Sequence, residues 1–157
     1  MNFLKEIEDH KNTLIAGKDK ITRVLIFRAP SMDYEAVDFS TDSKLLFSSQ
    51  QPISITTLGA YLREQMPHLE LKLVDLEYEI LKIMANESRT ENVLEECTIK
   101  SLEDFNPELV GISVVFSPGI KYGYTVAQIV KDSNPRTTIV FGGVHCTFDY
   151  ENILTKS

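Results

Sequence analysis

Leu109-Val110-Gly111-Ile112-Ser113-Val114-Val115-Phe116, followed at once by Ser117-Pro118-Gly119, is the stretch on which the fold depends. Apolar residues occupy both alternating sets of positions, so the run reads as a strand buried on its two faces, the habit of parallel rather than antiparallel sheets. Downstream, a helical segment from about Ile120 to Asp132 closes at the Asn134-Pro135 turn, and Thr137 to Phe141 forms the next strand, ending at Gly142-Gly143. Asp149 to Leu154 begins another helix. Upstream, Arg23 to Ala29 is a second compact apolar run, stopped by Pro30. Pro52, Ile53, Ile55, Leu58, Leu62 and Met66 carry a helical period that Pro67 ends, and Leu69 to Leu76 alternates as a strand ending near Asp75. Between Tyr78 and Phe105 apolar residues sit among charges in two helical pieces, broken around Asn86 to Thr90, with the acids on a solvated face.

The order is strand then helix, four times over. Right-handed crossovers between such units give an α/β fold with a doubly wound parallel sheet, three layers deep and flavodoxin-like. A sheet of that type normally has a fifth strand, whereas this chain stops in the helix after the fourth, so the expectation is a truncated piece of a longer protein or a four-strand variant. An open parallel edge invites association. The N-terminal helix, a homodimer partner or a further domain is expected to cover it. Two regions divide the chain: Met1 to Lys20, an amphipathic helix with Phe3, Leu4, Ile7 and Leu14 on one side, and an α/β domain over residues 21–157. The polar, irregular stretch from Ser31 to Gln51 is long for a loop inside a compact domain, which suggests a functional or disordered segment.

Composition sets further bounds. With 157 residues and 43% hydrophobic content the chain can bury one sizeable core. Its 16 basic against 23 acidic residues leave a formal charge of -7 and no positive footprint, so nucleic acid is not an expected partner. No run approaches the roughly 18 apolar residues of a membrane-spanning helix, and no signal peptide is visible. Cys97 and Cys146 share no CxxC or metal-type spacing, which fits a reducing, cytoplasmic setting.

In open α/β sheets, ligands bind beyond the carboxyl ends of the strands, where the strand order reverses. That rule selects Ala29-Pro30-Ser31, Asp75-Leu76-Glu77, Phe116-Ser117-Pro118-Gly119 and Gly142-Gly143-Val144-His145. The paired glycines have two readings on spacing alone: a tight turn, or a place where a ligand approaches the backbone. Neither GxGxxG nor GxxxxGK[ST] is present, which weakens both nucleotide-binding readings. The first strand also lacks the acidic pair of a phospho-accepting receiver, Asp33 lying too far into the loop. Cys146 and His145 could make a nucleophile and base on paper, but sequence neighbours rarely point at one another. For His145 a ligand role, a donor role and a structural hydrogen-bonded role all stand, the last favoured; His10 and His68 are expected to be exposed and without function.

Taken together, the segments resemble a known family. The stretch Pro52-Ile53-Ser54-Ile55 through Ala60-Tyr61-Leu62-Arg63-Glu64 resembles "PPxGLxYLAAYLRE" of the cobalamin-binding N-terminal domains of cobalamin-dependent radical S-adenosylmethionine enzymes. Asp75-Leu76 resembles the "DL" ending of that family's second strand, and Phe105 to Ser113 resembles "xxNPDLVGIS". Gly142-Gly143-Val144-His145-Cys146-Thr147-Phe148 resembles "GGPHATF", with Val144 for proline and Cys146 for alanine. The resemblance covers roughly Arg23 to Leu154. It implies a corrinoid held against the carboxyl ends of the strands, its nucleotide tail inserted along the sheet, with Pro30, Ser31, Ser113, Ser117, Pro118, Gly119, Gly142, Gly143 and His145 as the residues around it. The DxHxxG motif is absent after the first strand, so no histidine of that motif ligates cobalt.

The CxxxCxxC motif of an iron–sulfur cluster is missing, since two cysteines cannot supply three ligands. The implied iron–sulfur cluster and S-adenosylmethionine therefore belong to a radical domain in a longer parent, and the chain alone is not expected to be catalytic. The expected function is a cobalamin-binding module for methyl transfer or related radical chemistry. Its rivals are a non-catalytic interaction domain that has lost the cofactor and a stand-alone enzyme using His145 and Cys146.

Overall fold

A computed structural model describes residues 21–36, 51–87 and 91–155. The expected helix over Met1 to Lys20, with His10, and most of the loop after the first strand lie outside the described residues. Four parallel strands, β1 (Arg23–Arg28), β2 (Glu70–Asp75), β3 (Leu109–Ser113) and β4 (Thr138–Gly142), form one sheet in the order β2-β1-β3-β4. The helices are α1 (Ile53–Gln65), α2 (Leu76–Glu87), α3 (Val93–Glu103), α4 (Ile120–Ser133), α5 (Val144–Phe148) and α6 (Tyr150–Thr155). This is a flavodoxin-like α/β architecture, with sheet growth reversing between β1 and β3.

Side chains alternate across the sheet, and the two sets meet different surroundings. Leu25, Phe27, Val110, Ile112 and Val114 join Leu76, Ile80 and Met84 of α2, Leu94 of α3 and Val126 and Val130 of α4 in the main core. Each such side chain contributes roughly 1.5–3 kcal/mol by leaving water. The opposite face carries a smaller cluster of Val24, Ile26 and Ile55, flanked by Ile21, Leu62, Leu71, Leu73 and Leu109. There α1 packs on β1 and β2. Gly59 makes that approach possible, because a Cβ there would lie 2.6 Å from Leu73 Cδ1.

The registers align three cross-sheet rows on this second face: Leu71, Val24, Leu109 and Thr138; Leu73, Ile26, Gly111 and Val140; Asp75, Arg28, Ser113 and Gly142. Helix α1 covers the β2 and β1 half. Among the described residues nothing covers the β3 and β4 half, and Val140 is 50% exposed. The expected layers on both faces are present, but unequally.

Several boundaries depart from the sequence reading. The third strand ends at Ser113, not Phe116: Val114 donates its N–H to Gly142 O and accepts at its own carbonyl from His145 N–H, so pairing passes to the turn after β4. The first strand stops at Arg28, the fourth runs one residue later than expected, and α2 starts at Leu76 directly out of β2. The final helix is α6, as expected to within a residue, and it is preceded by the unexpected α5, too brief for a helical period to register.

Candidate functional site

The row at the carboxyl ends of the strands joins two unlike halves. On the β2 and β1 side, Arg28 is 5% exposed and donates from Nη1 to Asp75 Oδ2 at 2.9 Å and from Nη2 to Glu77 Oε1 at 3.1 Å. A buried guanidinium is tolerable only with such partners. Glu77, itself 4% exposed, accepts with Oε2 from Ser31 N–H at 2.6 Å and from the Ser31 hydroxyl. The loop-free passage from β2 into α2 brings Glu77 there.

Further contacts pin the same loop. A Cβ on Gly119 would lie 2.5 Å from Pro30 O, so only glycine lets the turn after β3 sit beneath Pro30. Asp33 accepts from the Tyr122 hydroxyl at 2.8 Å and from Lys121 Nζ at 3.0 Å. Those donors, the tyrosine first, hold the Asp33 carboxyl below its usual range, while burial pushes the Tyr122 phenol up to about 12. Tyr34 stacks on Tyr122 at 4.9 Å between centroids. Pro30 is buried, Ser31 partly so, and Pro118 exposed. Ser31 and Gly119 thus serve first to shape the loop.

The β3 and β4 half is open. Ser113 and Gly142 are paired in register, and a Cβ on Gly142 would meet nothing within 4 Å. Gly143 differs: its φ is 98°, and a Cβ there would lie 2.4 Å from Val114 O. Of the two readings of the pair, the turn belongs to Gly143 and the free approach to Gly142.

His145 sits in the first turn of α5, with Nδ1 at 3.2 Å from Ser117 Oγ. Nε2 faces Asp149 Oδ2 at 3.7 Å, beyond hydrogen-bond reach. Nε2 is buried and without a hydrogen-bond partner. Cys146 points instead into the main core, where burial raises its thiol pKa. The paper pairing of Cys146 with His145 is therefore not formed: the imidazole is engaged by Ser117, and the thiol faces the core. His68 is exposed.

The structure thus gathers Ser113, Ser117, Gly142, Gly143 and His145 around the ends of β3 and β4, and Pro30, Ser31, Pro118 and Gly119 along the adjoining rim. Sequence reasoning missed Arg28, although an arginine closing the apolar run Val24 to Phe27 demands a carboxylate, and Asp75 ends the neighbouring strand with Glu77 two residues on. Small residues, a free backbone and a hydroxyl suit a broad, mostly apolar ligand with amide arms. No cluster of His, Cys, Asp or Glu among the described residues could hold a bare metal ion. No helix among them is long and apolar enough to cross a membrane.

A family model described as B12 binding domain matches residues 47–157. An uncharacterized methyltransferase of Pyrococcus horikoshii is 24% identical over 132 residues, which is 84% of this chain and 24% of that protein. The chain therefore spans about a quarter of the length of the curated relative it matches. No solved structure gives a significant match.

Proposed function

This chain belongs to the B12 binding domain family, and from that premise we propose that it is the cobalamin-binding module of a larger radical S-adenosylmethionine enzyme acting in methyl transfer or related radical chemistry. Support for the larger enzyme comes from a relative named as a methyltransferase and about four times as long as the matched region. The iron–sulfur cluster and S-adenosylmethionine would be held by a radical domain elsewhere in the parent, as two buried cysteines cannot supply a cluster's thiolates here.

The observation that carries the reading is the open Ser113–Gly142 pair at the carboxyl end of the sheet, beside a switch point whose other half is sealed. Ser113 offers a hydroxyl, and Gly142 a backbone free of side-chain obstruction. Gly143 holds the turn that places His145. Ser117, hydrogen-bonded to His145 Nδ1, offers a second hydroxyl at the same end. Pro30, Ser31, Pro118 and Gly119 form the rim. Cobalamin, when bound, would supply a cobalt centre able to carry a methyl group. Arg28 to Ala36 contain no histidine, so the loop after β1 offers no imidazole to cobalt.

The test is an anaerobic titration of the full chain with hydroxocobalamin, read by absorbance and gel filtration. Corrin absorbance should travel with the protein and show a base-off spectrum, and Gly142→Tyr should abolish co-elution while leaving circular dichroism unchanged. Separate elution at high micromolar protein would sink the proposal in favour of an interaction domain without cofactor.

A further inference from the structure

The loop after β1 carries an inference that rests on the cobalamin reading and adds a residue to it. Ligands of open α/β sheets sit where sheet growth reverses, here between β1 and β3. The loops leaving those two strands therefore line the crevice. The first of them is fixed at nearly every residue. Ala29 donates its N–H to Ser113 O at 3.0 Å, and Pro30 O sits against Gly119. Ser31 is tied to Glu77 through both its N–H and its hydroxyl, and Asp33 is tied to Lys121 and Tyr122.

Met32 sits in the middle of this fixed run. Its carbonyl accepts from Tyr34 N–H at 3.1 Å. Its side chain is half-buried, yet belongs to neither apolar cluster among the described residues. On either side, Ser31 and Asp33 send their side chains to α2 and α4. The backbone is thus anchored while a long, adaptable thioether is left uncommitted. Other donors near the carboxyl ends are spent or turned away. The His145 ring is engaged by Ser117 at Nδ1 and buried at Nε2, the Asp33 carboxylate holds Tyr122 and Lys121, and the Cys146 thiol faces the core. Met84 is 1% exposed in the core, and Met66 lies at the opposite end of the sheet, its carbonyl bonded to Leu69 N–H just before β2.

A corrin lying across the strand ends turns one axial side of its cobalt toward the protein. β1 is two strand spacings from β4, about 10 Å, a width that the macrocycle and its amide arms cover. A thioether is a neutral, soft donor that serves as an axial ligand to macrocycle-bound metals, as in cytochromes c. We infer that Met32 is the residue presented to the protein-facing side of the cobalt, its Sδ lone pair occupying the axial position that the cofactor's own base vacates. One neutral donor replaces another, and neither an electron nor a proton moves.

Peroxide footprinting of the full chain reads this without any substitution. Met32 and the 44% exposed Met66 should both form sulfoxide in the free protein. Saturating hydroxocobalamin should slow oxidation of Met32 at least about fivefold by mass spectrometry and leave Met66 unchanged. A second measurement is electron paramagnetic resonance of the cob(II)alamin complex. There Met32→His should add a nitrogen triplet splitting to the cobalt lines, which the wild type in its base-off state lacks. Bound corrinoid without protection of Met32, or without nitrogen splitting in folded Met32→His, would overturn the inference and leave the cobalamin reading standing. No corrinoid on the wild-type chain would sink both.

Discussion

Gly142 and Gly143 are adjacent and chemically identical, yet only one is constrained by the protein. At Gly143 any side chain meets both a φ of 98° and the Val114 carbonyl, so Gly143→Ala should cost about 3 kcal/mol in urea unfolding. At Gly142 the space is empty, and Gly142→Ala should change stability by no more than about 0.5 kcal/mol. Equal losses at both would refute this division of roles. The paired glycines were legible as the end of the fourth strand, but which of them bends the chain depends on the Val114 carbonyl at the end of β3. The cysteines make a parallel case. Cys97 and Cys146 are buried and the Cys146 thiol is raised by desolvation, so Ellman's reagent at about pH 8 should modify neither in the native chain and both in urea. Rapid native labelling of Cys146 would reopen its candidacy as a nucleophile.

Between elements, the loop after β1 is held by carboxylates of two different origins. Glu77, from the first turn of α2, is buried with Arg28 and Ser31, and Glu77→Ala should cost about 3 kcal/mol by leaving a guanidinium and a backbone N–H short of partners. A loss near zero would show that water can replace it. Asp33 and Glu108 act at the surface. Glu108 is held below the usual carboxylate range by the N–H groups of Thr22 and Arg23, and Asp33 by the Tyr122 hydroxyl and Lys121. A carboxyl with a lowered folded pKa adds stability that is fully present above its unfolded pKa and is lost as the pH falls through the folded value. Urea midpoints should therefore drop as the pH is lowered through and below the ordinary carboxylate range, and the drop should be shallower in Asp33→Asn. An unchanged acid slope would remove Asp33 from the account. None of these partnerships could be read from spacing, because donors and acceptors lie 46 to 89 residues apart.

For the whole molecule, the unequal covering of the sheet frames the proposed function: the carboxyl end of the open half, at Ser113 and Gly142, is offered to a corrinoid. If hydroxocobalamin binds only the folded chain, a free concentration of about 100 times Kd should raise unfolding free energy by about 2.7 kcal/mol, and Gly142→Tyr should lose that increment while keeping its ligand-free stability. Identical denaturation curves with and without the corrinoid would refute site-specific binding. Strand and helix types, their order, the parallel sheet and the segments that fall at the carboxyl ends of its strands could be read from residue order. Near-neighbour periodicity and punctuation by proline and glycine are local properties, and right-handed crossovers leave few ways to assemble them. The division of labour within the glycine pair, the burial of Arg28 against Glu77, the orphaned His145 Nε2 and the uncovered half-face emerged from long-range register and packing. Each depends on which atoms of distant strands and helices come to lie within a few ångströms of one another, and no local pattern encodes that.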